Sequence, residues 1–182
     1  MPYDVALQDL QNAIQEHLIT LLVDPSSVVK RAVLHDVSSM CIFLGRQRTN
    51  DILLSHMITY LNDRDWHIRY AFFNAIVDVA ACAGGRSLEE YILPLMIQAL
   101  SGRPTSSFIP STATKPNPDV EESVVARVLA ALTSLCELGL FQKMRIWELM
   151  SANLGFLYHP NSWIRQGTSS ISMTGRGLYF SY

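Results

Sequence analysis

The side chains of this chain that are able to carry out chemistry are five histidines, three cysteines and a set of regularly spaced basic residues. A zinc or hydrolase site would hold its ligands at short, fixed spacings. His56 and His67 are eleven residues apart, with no HExxH or CxxC pattern around them. The sequence also lacks a Gly-rich phosphate loop, a kinase catalytic loop with its Asp-Phe-Gly, and a G-x-S-x-G elbow. We therefore expect a chain that is not an enzyme, with no catalytic, metal-binding or cofactor-binding residues and no cofactor.

The cysteines give no sign of a disulfide framework. Cys41, Cys82 and Cys136 are odd in number, widely spaced and placed on the apolar sides of predicted helices. We interpret them as small buried hydrophobic residues in a reducing compartment, rather than as a disulfide or a metal site.

The repeated basic residues allow two interpretations. Lys30, Arg69 and Arg165 occupy equivalent places in similar segments, which suits either a stripe that binds phosphate or acidic groups, or a structural ladder. In a ladder, each basic side chain reaches the acidic residue of a neighbouring repeat's turn, where Asp24 and Asp63 stand. We favour the ladder, formed by Asp24, Lys30, Asp63, Arg69 and Arg165. Trp66 and Trp163, at nearly the same point of two repeats, are predicted to close the turns.

These residues are positioned by one helical pattern, which is clearest between Asp63 and Gly84. Asp65 is suited to cap a helix start, because its side chain can accept a first-turn N–H. The apolar residues that follow recur at steps of four, four, three and four, and so form one side of an amphipathic helix. They are Ile68, Phe72, Ile76, Val79 and Ala83.

The same pattern recurs along the chain with a period near 40 residues. Val29, Ile68, Val125 and Ile164 are separated by 39, 57 and 39 residues, and the leucines of the preceding helices by 39, 39 and 57. About 18 residues are therefore inserted in the third repeat. A two-helix unit of this period is typical of HEAT or armadillo arrays. The predicted repeat core is Leu22, Val29, Leu61, Ile68, Leu100, Val125, Leu157 and Ile164.

The predicted fold is all-α, an α-solenoid of about four HEAT-type helical hairpins over residues 1–167, with the last hairpin truncated. The hairpins are expected at about residues 4–45, 50–84, 87–138 and 142–167. A Pro-, Ser- and Thr-rich insertion at 101–120 is predicted to be a flexible loop. Residues 168–182 do not fit the pattern and are predicted to be an atypical tail, neither an amphipathic helix nor a polar cap.

Composition narrows the class of protein further. The chain has 182 residues, of which 49% are hydrophobic, so it can bury a core. A net charge of −2 gives no long-range attraction to nucleic acid. The first residues do not resemble a signal peptide, and no uncharged apolar run approaches the ~18 residues of a membrane span. We expect a soluble cytoplasmic chain without a transmembrane segment.

Long segments of the sequence resemble a known family. GRQRTNDILLSHMITYLNDRDWH is far more specific than a generic helical repeat, and the chain also contains YDVALQDLQNAIQEHLITLLVDPSSVVKRAVL and FLYHPNSWIRQG. These segments are similar to the regulatory subunits of class III phosphatidylinositol 3-kinase complexes, which are kinase-like at the N-terminus, HEAT-repeat in the middle and WD40 at the C-terminus. The resemblance covers Tyr3 to about Gly167 and only the central HEAT region. The insertion and the tail do not resemble the family.

The resemblance implies a non-catalytic scaffold in endosomal trafficking and autophagy. The implied partners are a lipid-kinase catalytic subunit and a beclin-type coiled-coil subunit, with peripheral association to endosomal and autophagic membranes through the complex. Two alternatives stay open. The chain is a fragment of a serine/threonine protein kinase that inherits that label, or it is a generic HEAT adaptor for transport or phosphatase assembly.

Overall fold

The computed structural model describes residues 3–100 and 118–180 of the chain. All regular elements within these two ranges are helical, and neither range contains a β-strand. Successive helices pair into four hairpins over the described residues. The first two hairpins belong to one compact unit, Met1–Ala83, and the other two to a second, Gly84–Tyr182. The all-α repeat fold predicted from the sequence is therefore confirmed.

The first hairpin consists of α1 (Tyr3–Leu22), α2 (Ser27–His35) and α3 (Val37–Arg48). The sequence predicts a single second helix that ends at Gly45. The structure interrupts it at Asp36, whose φ of −106° and ψ of 12° lie outside the helical region. Gly45 then takes a φ of 77°, a left-handed conformation that glycine adopts without a Cβ clash. The chain reverses there and enters the second hairpin.

The second hairpin begins with a continuous helical segment and returns through one long helix. The segment runs through a π-helical turn (Thr49–Leu54), the short α4 (Ser55–Met57) and a 3-10 turn (Ile58–Asn62), and α5 (Trp66–Ala83) follows. The predicted apolar stripe of α5 is buried from Ile68 to Ala83, because this side packs against α2 and α3. Burial of each large side chain contributes roughly 1.5–3 kcal/mol, so this helix supplies much of the core of its unit.

The third hairpin consists of α6 (Gly85–Ser87), a π-helical turn (Leu88–Ile92), α7 (Leu93–Leu100) and α8 (Pro118–Glu137). Its first helix begins at Gly85, so Ser87 lies inside the helix instead of forming the cap its spacing to Glu90 suggests. The wide turn directly precedes Pro94, which has no N–H to donate and crowds the preceding turn. Residues 101–117 of the predicted loop lie outside the described residues. Its last three residues are helical, and Pro118 at the first helical position loses no hydrogen bond.

The fourth hairpin consists of α9 (Lys143–Asn153), a 3-10 turn (Leu154–Tyr158) and α10 (Ser162–Phe180). The predicted break after residue 167 does not occur, because α10 continues through most of the expected tail. The hydroxyls of Thr168, Ser169 and Ser170 each donate to a carbonyl four residues earlier at 2.9–3.0 Å, which satisfies these polar groups within the helix.

Small residues also bring α10 close to α8. A Cβ placed on Gly167 would lie 3.1 Å from Leu129 Cβ, closer than side chains normally approach. Thr168 and Ile171 are buried on the same helix, and α10 packs chiefly against α8. Although this part of α10 has few large apolar residues, its small residues let it pack closely against α8, and the helix continues. No helix within residues 3–100 or 118–180 is long and apolar enough to cross a lipid bilayer.

Candidate protein-interaction site

The turn of the second hairpin is a chain of hydrogen bonds from side chains to backbone. Asp63 Oδ1 accepts the N–H of Asp65 at 3.0 Å, and Asp65 Oδ1 accepts the N–H of His67 at 2.9 Å. Arg69 Nη1 donates to the carbonyl oxygen of Asp63 at 2.8 Å. The first free donors of α5 and the end of the preceding helix are therefore satisfied locally.

The turn of the fourth hairpin repeats this framework with different residues. His159 Nδ1 accepts the N–H of Asn161 at 3.2 Å, and Asn161 Oδ1 accepts the N–H of Trp163 at 2.9 Å. Arg165 Nη1 donates to the carbonyl oxygens of His159 and Pro160 at 2.7 and 2.6 Å. Each acceptor occupies the position of its counterpart in the second hairpin, so charged and uncharged acceptors build the same framework.

One ion pair joins the first two hairpins. Lys30 Nζ lies 3.1 Å from Asp63 Oδ2, and the two side chains are 17% and 21% exposed. The ammonium group also lies 5.6 Å from the ring centroid of Tyr60. Asp63 thus binds the basic residue of the preceding hairpin with one oxygen and its own turn with the other. This contact has the geometry expected of a ladder rung.

A comparable contact that was not predicted from the sequence joins α8 to the turn of the fourth hairpin. Asn161 Nδ2 donates to Glu122 Oε2 at 2.6 Å. The two residues are 39 apart, which is the repeat period, so the spacing alone was a usable signal. This contact joins a carboxylate to a neutral amide.

The other three predicted ladder residues are held within their own turns. Asp24 Oδ1 accepts the N–H of Ser26 at 2.7 Å, and the hydrogen bonds of Arg69 and Arg165 go to turn carbonyls. Among the five predicted residues, the structure therefore brings together Lys30 and Asp63 across two hairpins.

The predicted tryptophans differ from one another. Trp66 is half-buried and stacks on His67, with ring centroids 3.9 Å apart, whereas Trp163 is exposed to solvent beside its turn. Trp163 occupies the position of His67 and not that of Trp66, which explains the difference. The two histidines singled out by the sequence stay local, because His56 Nδ1 lies 2.7 Å from the Ile52 carbonyl oxygen and His67 Nδ1 lies 2.9 Å from Asp65 Oδ1.

The pKa values of two side chains at or beside the turn of the second hairpin, Asp65 and Tyr60, are shifted from their ordinary values. Partial burial acts to raise the pKa of Asp65, but hydrogen bonds from the ring and backbone of His67 outweigh it and lower the pKa below its ordinary value. Burial, with the nearby charge of Asp63, raises the pKa of Tyr60 to about 12. Tyr60 therefore stays protonated and donates to the Leu22 carbonyl oxygen at 2.6 Å.

The predicted core residues fall into two groups. One group is buried, and the other is only half-buried. Leu61, expected in the repeat seam, is half-buried because the neighbouring Tyr60 fills the buried position. The buried residues are Leu22, Ile68, Leu100 and Ile164, and the half-buried residues are Val29, Leu61, Val125 and Leu157.

The most distinctive surface of the second unit is an apolar stripe on α9 and the 3-10 turn that follows it. Met144, Trp147 and Leu154 recur at steps of three and seven, which return to one side of an α-helix, and Tyr158 ends the 3-10 turn that follows. All four are more than half exposed, and Tyr158 is 91% exposed. We call these four residues the aromatic stripe. On the same helix, Arg145 Nη1 pairs with Glu148 Oε2 at 2.7 Å, so these charges neutralise each other.

Large exposed apolar side chains on one helix side are typical of a protein-interaction surface. The repeat pattern places this helix in the fourth hairpin but does not distinguish its buried side, formed by Ile146 and Leu149, from a second apolar side. The apolar positions on both sides of the helical wheel were the sequence signal for this second, exposed side.

The second unit also contains an open groove of about 350 Å³ between the end of α7 and the end of α9. Its walls are mainly apolar, with His159 as the polar member. The lining residues are Ile97, Leu100, Ala152, Gly155, Phe156 and His159. Within residues 3–100 and 118–180, no three His, Cys, Asp or Glu side chains converge as metal ligands would.

These features define an all-α helical repeat region with hydrogen-bonded turns. The family model described as PIK3R4-like, middle domain, matches residues 1–175. The chain therefore belongs to the PIK3R4-like family and corresponds to its middle domain, not to a kinase catalytic domain. The family resemblance inferred from the sequence is confirmed.

Curated relatives agree with this assignment. The chain is 38% identical over 170 residues to the probable serine/threonine-protein kinase vps15 of Dictyostelium discoideum, which covers 93% of the chain and 8% of that protein. It is 38% identical over 169 residues to the serine/threonine-protein kinase vps15 of Schizosaccharomyces pombe, with 93% and 9% covered. A putative serine/threonine-protein kinase VPS15 of Komagataella pastoris is 41% identical over 150 residues, with 82% and 10% covered. The chain thus spans about a tenth of the length of these relatives.

Proposed function

We propose that this chain is a non-catalytic scaffold segment of a class III phosphatidylinositol 3-kinase complex. The observation that carries the proposal is the match of residues 1–175 to the middle domain of the PIK3R4-like family. In this role the segment contributes to endosomal trafficking and autophagy, peripheral to the membranes concerned. Its protein partners are the lipid-kinase catalytic subunit and a beclin-type coiled-coil subunit.

The hairpins suit a scaffold because their turns are fixed by hydrogen bonds and their cores are packed. Binding by such a surface depends on a few large side chains that become buried in the complex. The aromatic stripe supplies two aromatic residues, a methionine and a leucine, all exposed. We assign the stripe to the contact with the catalytic subunit.

The charges beside the stripe favour a protein partner. Membrane-surface helices carry lysine and arginine on the side opposite their apolar residues, where they attract anionic lipids. Here Arg145 is paired with Glu148, so this arginine is not free to attract an anionic lipid. A neutral, apolar face of the catalytic subunit complements it best.

Co-purification of the full chain with the lipid-kinase catalytic subunit tests this proposal. We expect the wild-type chain to be retained, and the double variant Trp147→Ala/Tyr158→Ala to lose tenfold or more in affinity, since aromatic anchors contribute about 2 kcal/mol or more. The matched control is Tyr91→Ala, which removes an exposed aromatic residue from the third hairpin. Equal binding by both variants would remove the stripe from the interface. Absence of binding by a folded wild-type chain would overturn the scaffold assignment.

Two further measurements separate the alternatives. The relatives are named serine/threonine-protein kinases, but the matched region is their middle domain, so we expect the purified chain not to bind ATP. ATP binding would support the kinase alternative. Binding of transport cargo or a phosphatase subunit, without binding of the lipid kinase, would support a generic adaptor.

A further inference from the structure

Two of the three cysteines lie against each other in the first unit. Cys82, near the end of α5, donates its thiol hydrogen to the carbonyl oxygen of Cys41 in α3 at 3.2 Å. The Cys82 thiol is also close enough to raise the pKa of the Cys41 thiol. Their separation of 41 residues is close to the repeat period, so they stand at the same level of two adjacent helices. Wide spacing in the sequence therefore does not mean separation in the fold.

A buried threonine completes the cluster. Thr49 Oγ1 lies 3.4 Å from the Cys41 carbonyl oxygen and 3.7 Å from Cys82 Sγ. Thr49 also acts to lower the pKa of the Cys41 thiol. The Cys82 thiol is thus held beside Cys41 by polar partners, and not by aliphatic side chains alone.

The two thiols differ in access to solvent. Cys41 is 1% exposed, and burial raises the pKa of its thiol to about 11, with a smaller effect from the neighbouring Asp78 charge. Cys82 is only half-buried. A small oxidant therefore reaches Cys82 first, and Cys41 is the protected neighbour within reach.

We propose that Cys41 and Cys82 form a peroxide-sensitive modification site that closes to a disulfide between α3 and α5. In the first step, the Cys82 thiolate attacks one oxygen of hydrogen peroxide. An S–O bond forms, the O–O bond breaks, and the departing hydroxide takes a proton to leave as water. In the second step, Cys41 Sγ loses its proton and attacks the Cys82 sulfenic sulfur, and the sulfenic oxygen leaves as the second water. One peroxide is reduced, and two thiols are oxidised to one disulfide.

The third cysteine provides a matched control. Cys136 is buried in α8 of the second unit, and burial raises the pKa of its thiol to about 11, as for Cys41. A comparison of the cysteines therefore separates the effect of a neighbouring thiol from the effect of burial.

The experiment treats the full chain with hydrogen peroxide, alkylates it under denaturing conditions and maps its peptides by mass spectrometry. We expect a cross-link between the peptides of Cys41 and Cys82, reversed by dithiothreitol, while Cys136 remains fully alkylated. Cys136→Ser should keep the cross-link, and Cys82→Ser should abolish it with no change in helical content. Cys41→Ser should leave Cys82 to accumulate as sulfenic or sulfinic acid. A cross-link through Cys136, or oxidation of Cys82 without any cross-link in the wild-type chain, would overturn the proposal.

Discussion

The turns of the second and fourth hairpins have the same hydrogen-bond framework but different chemistry. In the second hairpin the acceptors are two aspartates, and one of them pairs with Lys30. In the fourth hairpin they are His159 and Asn161, and the cross-hairpin contact is made by the Asn161 amide to Glu122. The aromatic side chains of Tyr158 and Trp163 are exposed beside this turn.

The comparison shows which features of the turns the fold requires and which can vary between hairpins. Both turns need an acceptor two residues before each donor N–H and an arginine that reaches the turn carbonyl. The framework itself does not require a carboxylate acceptor, since an imidazole nitrogen and an amide oxygen serve in the fourth hairpin. The charge and the exposed side chains of each turn can therefore differ between hairpins and serve interactions. The aromatic stripe lies in the fourth hairpin.

The largest expected difference lies in the cores behind the two turns. Phe72 and Thr168 both stand four residues after the buried isoleucine of their hairpin, and both are buried. Phe72→Ala should reduce the free energy of unfolding by about 3–5 kcal/mol because it leaves a large cavity. Thr168→Ala should cost roughly 1 kcal/mol, since it removes one methyl group and one helix-internal hydrogen bond. Urea unfolding followed by helical circular dichroism measures both, and equal losses would contradict the expected difference between the two cores.

Tyr60 provides a smaller test of the same comparison. Its hydroxyl donates to the buried Leu22 carbonyl oxygen, whereas Phe156 occupies the corresponding place in the fourth hairpin. Tyr60→Phe therefore makes the second hairpin resemble the fourth at this point. It should lower the free energy of unfolding by about 1 kcal/mol, because a hydrogen bond is lost in a buried setting. The control is Tyr158→Phe at an exposed site, where no change is expected, and a similar loss at both sites would contradict the assigned role of the Tyr60 hydroxyl.

The Lys30–Asp63 and Glu122–Asn161 contacts should differ in their response to salt. A double-mutant cycle with Lys30→Met and Asp63→Asn should give a coupling free energy below about 1 kcal/mol, because the pair is partly exposed. The coupling should weaken between low and high salt as the charges are screened. The counterpart variant Glu122→Gln keeps a hydrogen-bonding side chain, and its effect should change less with salt. Coupling between Lys30 and Asp63 that is independent of salt would mean that their contact is not mainly electrostatic.

The regular parts of the fold could be predicted because they depend on helical periodicity. The stripe from Ile68 to Ala83 and the 39-residue spacing are sufficient to predict the second hairpin. The extension of α10 could not be predicted in the same way, since it relies on close approach at Gly167 and on internal hydrogen bonds of Thr168 and its neighbours. Helical periodicity is recognised from large apolar residues, so it gives no information about close packing at a glycine or about hydrogen bonds within the helix.

The contacts between hairpins and the exposed apolar surface were harder to predict from the sequence, for a related reason. The Lys30–Asp63 pair followed from a repeat position and the charges of its two members. The Glu122–Asn161 contact, the aromatic stripe and the Cys41–Cys82 pair needed a comparison of residues one period apart, or of two sides of one helix. The repeat period held part of this information, but the exposure of a side chain depends on which neighbouring helix covers it.

The smallest expected effect concerns the protonation of Asp65, whose place Asn161 takes in the fourth hairpin. The pKa of Asp65 is lower in the folded chain than in the unfolded chain, so the unfolded state binds more protons as the pH falls. The stabilisation is fully present above the unfolded pKa of about 4 and is lost as the pH falls through the lower folded value. Asp65→Asn makes this acceptor neutral and should flatten the pH dependence of stability below about pH 4, with Asp9→Asn on α1 as the exposed-carboxylate control. Urea midpoints between pH 2 and 7 measure the effect, and an unchanged acid slope in Asp65→Asn would show that the turn does not depend on the charge of this carboxylate.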